Sequence, residues 1–249
     1  MNYTPLAPLY DAFTRDVPYA ALADWYDALL NPSGAARRMY LDLCCGTGTL
    51  TLLLARRGRE MIGVDASPEM LAVAQRKAQA EELPVPPLFL CQEAAELDLY
   101  GTVQGALCSL DGMNYLPPEE LPELLRRLHL FLEPGGVFAF DFHSPEHLRE
   151  LDGGVFVDET EDALCLWRAS FDPEEAALVY GMDIFTRAGQ LWRRAEEEHV
   201  EYAHTPEDLQ KALEAAGFID VQLLRDGPGS AQGRLYLRAV NLPHGKKEK

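Results

Sequence analysis

The chain has 249 residues, 47% hydrophobic and 25% charged, the balance of a folded globular protein rather than a disordered or fibrous one. A formal net charge of -18 argues against a nucleic-acid partner, because phosphate binding relies on clustered Lys and Arg. The N-terminus lacks a basic and apolar leader, no apolar run reaches the ~18–20 residues of a membrane helix, and five irregularly spaced cysteines suit a reducing compartment. No membrane partner and a cytoplasmic location are therefore expected.

In chain order, Tyr3 to Leu30 reads as helical, with Tyr10, Phe13, Tyr19, Trp25 and Tyr26 among small residues. From Arg38 onward short apolar runs alternate with segments of helical period: MYLDLC, TLTLLLARR, EMIGVD, then SPEMLAVAQRKAQAEE. That alternation predicts βαβ units and a parallel sheet. Ser67 is a helix N-cap with Pro68 at the first helical position. PLFLCQ and GALCSL read as short buried strands, PPEELPELLRRLHLFLEPGG as a helix stopped by Pro134 and two glycines, and GVFAFDFHS as a long strand.

From Gly153 to Tyr202 the texture becomes extended and aromatic, which predicts an antiparallel meander with one wet face. Thr205-Pro206-Glu207-Asp208 is a capping box, Gly217 a helix stop, and Ile219 to Leu224 and Arg234 to Asn241 are final strands. The fold class is α/β: a doubly wound, Rossmann-like domain over 1–152 and 204–243, with 1–36 as a helical cover and 153–203 as an antiparallel β insertion.

The segment Leu41 to Leu50, LDLCCGTGTL, places a glycine turn between a strand and a helix N-terminus, where backbone N–H groups point at a ligand. A dinucleotide fingerprint wants a third glycine where Thr51 stands, so a nicotinamide cofactor is disfavoured. Asp65 ends the next strand and is placed to accept hydrogen bonds from ribose hydroxyls. Asp42 lies inside the first strand, where a carboxylate needs a partner such as an ammonium or backbone N–H groups. Adjacent Cys44 and Cys45 are poorly spaced for a metal site and read as small buried residues lining the loop; Cys91, Cys108 and Cys165 read as core residues.

Asp42-Leu43-Cys44-Cys45-Gly46-Thr47-Gly48 followed by Gly63-Val64-Asp65-Ala66-Ser67 resembles the first two motifs of class I S-adenosylmethionine-dependent methyltransferases. Cys44 departs from the family's usual Gly or Ala. Glu93 with Ala94 occupies the place of the family's third-strand acid on the adenine side, Leu110 to Leu116 is similar to the segment after its fourth strand, and Pro134-Gly135-Gly136 matches its turn into the fifth. The resemblance implies a seven-stranded sheet, mostly parallel with an antiparallel final strand. It implies S-adenosyl-L-methionine as cofactor and S-adenosyl-L-homocysteine as product. It also implies Tyr10, Tyr19, Asp42, Cys44, Cys45, Gly46, Gly48, Asp65, Ala66, Met70, Glu93, Ala94 and Leu110 as cofactor residues.

The implied reaction is in-line methyl transfer to an N, O or C nucleophile of a small molecule, which needs alignment and desolvation rather than a metal or a triad. Asn114, Tyr115, His143, Trp167 and Tyr202 are candidate substrate residues, and His143, Tyr115, Tyr202 and His204 candidate bases. His143 and His147, four apart, invite a shared helix face, but no metal is expected without further grouped ligands. The insertion's Trp167, Phe171, Tyr180, Phe185 and Trp192 are expected to wall a substrate pocket or form a homodimer face. The competing functions are a non-catalytic S-adenosylmethionine sensor and a nicotinamide oxidoreductase.

Overall fold

The computed structural model describes residues 3–31, 34, 38–230 and 233–242; the rest of the N-terminal cover, residues 231–232 of the turn-rich loop and 243 lie outside the described residues. In chain order, α1 (Tyr10–Phe13) and α2 (Tyr19–Leu30) precede β1 (Met39–Leu43), α3 (Thr49–Arg56), β2 (Glu60–Asp65), α4 (Pro68–Gln79), β3 (Leu88–Cys91) and β4 (Val103–Cys108). Then come α5 (Leu121–Phe131), β5 (Leu132–His143) and α6 (Pro145–Glu150). The expected single helical stretch from Tyr3 is broken between α1 and α2. Pro18 has no N–H to donate and restricts Val17, so the chain turns there and helix resumes at Tyr19.

The seven-stranded sheet has the order β10-β11-β5-β4-β1-β2-β3, where β10 is Phe218–Leu224 and β11 is Arg234–Asn241. Strand β11 runs antiparallel to both neighbours, and the other pairings in this sheet are parallel. Strand order reverses around β1, flanked by β2 and β4, so the loops leaving β1 and β4 diverge and open a crevice at the carboxyl ends. The apolar strands are buried from both sides, by α5 and α7 (Pro206–Ala216) on one face and α2 and α3 on the other.

The helix signals act as their chemistry requires. The Ser67 hydroxyl accepts from Met70 N–H at 3.2 Å, and Thr205 accepts from Asp208 N–H at 3.1 Å while donating to the Asp208 carboxylate at 2.7 Å. Gly217 takes a left-handed φ of 103° that closes α7. Helix α5 ends at Phe131, three residues before Pro134, because the chain is already extended in β5.

Strands β6 (Val155–Glu159), β7 (Ala163–Asp172), β8 (Ala177–Ala188) and β9 (Leu191–Tyr202) form the second sheet, antiparallel throughout. Its inner face packs Cys165, Met182 and Ile184 against Leu6 of the N-terminal segment. Cys91, expected in the core, is exposed because β3 is the sheet's edge strand, whereas Cys108 and Cys165 are buried. All five cysteines are unpaired. Among the described residues no helix is long and apolar enough to cross a membrane.

Candidate active site

The loop after β1 is shaped by close approaches. Cys44 has a φ of 56°, a left-handed conformation that costs a residue with a Cβ roughly 1–2 kcal/mol, which is where a glycine is at home. Its side chain fits because Gly112 opposite has none: a Cβ there would lie 2.9 Å from Cys44 Cβ and 2.7 Å from Cys108 Sγ. Cys45 fits by the same means, since a Cβ on Gly63 would come within 2.9 Å of its sulfur. Burial pushes the Cys45 thiol well above its ordinary range, which removes thiolate chemistry at neutral pH.

Asp65, at the end of β2, accepts from the backbone N–H of Gly46 at 2.7 Å and of Ser67 at 2.9 Å. Burial raises its pKa, against which those two bonds work. Asp42 is 1% exposed and lies beneath the loop. Its Oδ2 accepts from the Thr51 hydroxyl at 2.5 Å, and its Oδ1 has no partner. Burial, with Asp65 adding to it, raises Asp42 to about 7 despite the Thr51 bond. Thr51, which stands where a dinucleotide fold has glycine, is the residue that holds this carboxylate.

A second loop, after β4, brings Leu110 and Asp111 to the crevice with left-handed φ of 54° and 56°. Asp141 on β5, fully buried, holds both: its oxygens accept from Leu110 N–H at 3.0 Å and Asp111 N–H at 2.8 Å, and from the Tyr26 hydroxyl at 2.6 Å. Arg234 on β11 pairs with Asp141 and, at 2.7 Å, with Asp111, whose carboxyl it holds below the usual range against the effect of burial. Five long-range bonds thus fix two strained residues.

The N-terminal segment roofs the crevice. Asp11 on α1 accepts from Thr47 at 2.6 Å, Thr49 at 3.1 Å and Lys77 at 2.7 Å, and Lys77 also donates to Thr49 at 2.6 Å. This network pins α1 to the glycine loop and to α4, and sets Tyr10 and Tyr19 over the opening.

Two cavities result. The first is lined by eleven of the thirteen expected cofactor residues: Tyr10, Tyr19, Cys44, Cys45, Gly46, Asp65, Ala66, Met70, Glu93, Ala94 and Leu110. Asp42 and Gly48 do not line it; Asp42 lies below, and Gly48, with φ of 72°, packs against Ala74 and Phe89. The second cavity lies between the two sheets and includes His143, Trp167, Tyr180 and Glu201 in its lining. Tyr3, Tyr10, Asp111 and Tyr115 line both, so the cavities meet there.

Of the expected substrate residues, Tyr115, His143 and Trp167 line the second cavity, whereas Asn114 and Tyr202 do not. Asn114 is fully buried and bridges the sheets, donating to His143 C=O at 3.1 Å and Tyr202 C=O at 3.0 Å and accepting from His143 N–H at 2.9 Å. His204 is 6% exposed with Nε2 on Leu116 C=O at 2.9 Å, and burial lowers its pKa, so it is a packing residue and not a base. His143 ends β5 while His147 belongs to α6, so they share no helix face; their rings lie 4.8 Å apart. In the insertion Trp167 and Tyr180 wall the cavity, and Phe171, Phe185 and Trp192 do not.

Asp111, His143 and Glu201 converge in the second cavity, one polar atom of each lying within 4.8 Å of the others. His143 Nδ1 is 3.6 Å from Glu201 Oε2. Burial works against the imidazolium, but Asp111 and Glu201 outweigh it and raise the His143 pKa; burial, with Asp111 adding, raises that of Glu201. Tyr3, Asp111, Asp141, Glu201 and Arg234 escaped the sequence reading. Only the position of Asp111, just after a β4 strand that ends on the ligand side, offered a local signal.

Known proteins share this arrangement. Residues 41–136 match a family described as a methyltransferase domain. YqeM of Bacillus subtilis (strain 168), provisionally named a methyltransferase, is 29% identical over 246 residues, covering 96% of this chain and 97% of that protein. The demethylmenaquinone methyltransferase of Thermus thermophilus is 34% identical over 147 residues, 57% of this chain and 65% of that one. A crystal structure of an S-adenosylmethionine-dependent methyltransferase from Clostridium acetobutylicum ATCC 824 superposes with a TM-score of 0.80 at 26% identity, over 97% of this chain and 99% of that chain.

Residues 41–136 form a methyltransferase domain, and a strand-end carboxylate over a glycine loop in a seven-stranded sheet of this order is the arrangement of a class I S-adenosylmethionine-dependent methyltransferase. It is an enzyme whose cofactor is S-adenosyl-L-methionine. The residues present fit that cofactor. Asp65 and Glu93 offer acceptors to hydroxyls, a Cβ on Gly46 would meet nothing within 4 Å and so faces open space, and Asp42 keeps a buried oxygen free for a positive charge above it.

Proposed function

We propose that S-adenosylmethionine lies in the first cavity and a small-molecule acceptor in the second, with methyl donor and acceptor meeting at the junction walled by Tyr3, Tyr10, Asp111 and Tyr115. The observation that carries this reading is that these four residues line both cavities. When bound, the cofactor supplies a methyl group on a sulfonium and leaves as S-adenosylhomocysteine.

In this reading Asp65 accepts from the ribose hydroxyls, with Glu93 beside it, and Ala66, Met70, Ala94 and Leu110 form the apolar slot for the base. The Cys44-Cys45-Gly46 loop receives the amino-acid end, Asp42 favours its ammonium from below, and Tyr10 and Tyr19 exclude water above. His143, raised by Asp111 and Glu201, accepts a proton from the acceptor. Residues 1–152 and 204–243 act as the cofactor-binding unit, 1–36 as its cover, and 153–203 as the acceptor wall. A small molecule suits a cleft shut in by α1 and β6–β9, and the Thermus relative is named for a small acceptor.

Calorimetry with S-adenosylmethionine, S-adenosylhomocysteine and NAD tests the first cavity: the first two bind and NAD does not. Asp65→Ala is expected to weaken S-adenosylmethionine by about 10–100-fold through loss of charge-assisted hydrogen bonds; an unchanged affinity refutes the ribose role. Labelled methyl from the cofactor is expected in the low-molecular-weight fraction of a cell extract, and label confined to macromolecules refutes the acceptor class.

A further inference from the structure

The second cavity has an imbalance of hydrogen-bonding groups. Glu201 Oε2, His143 Nδ1 and both ring nitrogens of His199 are buried without a hydrogen-bond partner, and all three residues line the cavity. The side chains of Glu201 and His199 are 5% and 1% exposed. Glu197, whose Oε2 lies 3.9 Å from His199 Nε2, has a buried side chain with neither carboxylate oxygen hydrogen-bonded. Buried polar atoms in native proteins are nearly always satisfied, and a carboxylate oxygen is satisfied only by a donor. The imidazole nitrogens can take either role, so it is the buried Glu201 oxygen that sets the demand, for a ligand bringing an N–H or O–H donor.

Charge narrows the ligand further. Three carboxylates line the cavity, those of Asp111, Asp158 and Glu201, and no Lys or Arg is among its described lining residues. Arg234 stands behind Asp111 and is committed to Asp111 and Asp141. Asp158 accepts from Trp167 Nε1 at 2.7 Å and Asp111 pairs with Arg234, whereas the buried Glu201 Oε2 accepts no hydrogen bond and has only His143 Nδ1, 3.6 Å away, facing it. The remaining walls are aromatic, including Tyr3, Tyr115, Trp167 and Tyr180, whose ring faces favour a cation. An anionic acceptor would meet carboxylates with no Lys or Arg in the described lining to offset them.

We propose that the acceptor is an amine that enters as its ammonium ion, held by Glu201 between aromatic walls, and is methylated on nitrogen. This rests on the assignment of the two cavities to cofactor and acceptor. The ammonium gives one proton to the His143–Glu201 pair, which frees the nitrogen lone pair. The new N–CH3 bond forms as the S–CH3 bond breaks with its electron pair passing to sulfur, so the positive charge moves from sulfonium to the methylated nitrogen. No metal, oxidant or reductant enters the balance.

The test uses the full chain saturated with S-adenosylhomocysteine and three probes of one shape: benzylamine, benzyl alcohol and benzoate. Benzylamine is expected to bind at least tenfold more tightly than benzyl alcohol, with no binding of benzoate. Glu201→Gln is expected to remove that preference while leaving the affinity for S-adenosylhomocysteine unchanged, since Glu201 does not line the first cavity. With labelled S-adenosylmethionine, label is expected on benzylamine nitrogen and not on 1,4-naphthohydroquinone. Equal or better binding of the alcohol or benzoate by the wild-type chain overturns the proposal, whatever the folding of the variant. So does label on the quinol alone, or transfer that needs an added divalent ion and stops with a chelator. A wild-type chain that binds S-adenosylhomocysteine but no amine overturns only the acceptor class, whereas one that fails to bind S-adenosylhomocysteine overturns the cavity assignment beneath it.

Discussion

At the scale of single residues, the site depends on side chains that fit only because a neighbour lacks one. Cys44 occupies a left-handed position and is admitted by Gly112. Cys44→Gly and Cys44→Ala are therefore expected to keep the affinity for S-adenosylmethionine, while Cys44→Val, β-branched at positive φ and larger, is expected to cost about 2 kcal/mol or more in thermal or urea unfolding. Asp42 makes a prediction with a sign. Its pKa rises from 3.8 to about 7 on folding, so the native state binds a proton that the unfolded chain has lost, and ionising the buried carboxyl lowers stability as pH climbs through that window. Asp42→Asn keeps an acceptor for Thr51 and removes that cost. Without ligand, the variant's stability relative to wild type should grow between about pH 4 and pH 7, by at most roughly 4 kcal/mol, and level off above. A gap that does not change with pH contradicts the buried-charge account.

At the scale of elements, a small polar latch ties α1 of the N-terminal cover to the glycine loop, while Leu6 packs on the second sheet and α2 in the core. Helix α1 has four residues and no buried one, and Asp11 ties it to Thr47, Thr49 and Lys77. Asp11→Ala is expected to speed amide exchange across residues 3–14 and to raise the dissociation rate of S-adenosylmethionine several-fold with little change in global stability, measured by hydrogen exchange and stopped flow. An unchanged dissociation rate would show that the cover does not gate the cofactor. The loop after β4 is held differently. Its left-handed Leu110 and Asp111 are clamped by Asp141, which also meets Arg234 and Tyr26, so it is a rigid wall between the cavities.

At the scale of the whole molecule, Asn114 joins the two sheets. It satisfies the backbone N–H and C=O of His143 on β5 and the C=O of Tyr202 on β9. Asn114→Ala leaves these three buried groups without partners, at a cost of about 2–4 kcal/mol. Because the second cavity lies between the sheets, methyl transfer is expected to fall at least tenfold while S-adenosylmethionine affinity changes little. Equal loss of both would place Asn114 in general folding and not in the docking of the insertion.

Local physics made much of this molecule legible in its amino acids. Alternating periodicity marked the strands of both sheets, Ser67 and Thr205 marked helix starts because a cap acts within three residues, and the spacing of Gly46 and Asp65 marked the first cavity. Thr51 was legible only as a missing glycine, since its bond to Asp42 depends on how α3 packs over β1. Tyr202 and His204 carried the right chemical groups, but packing leaves Tyr202 outside both cavities and commits the His204 ring to a backbone carbonyl. The sequence by itself determined the fold class and the glycine loop, because each follows from residues near one another in the chain, and its resemblance to class I methyltransferases supplied the cofactor. Only the tertiary structure decided the second cavity: Arg234 reaches Asp111 across 123 residues, and Glu201 meets His143 where two sheets dock. The charge and donor balance of a cavity belongs to what burial brings together, and no local pattern records it.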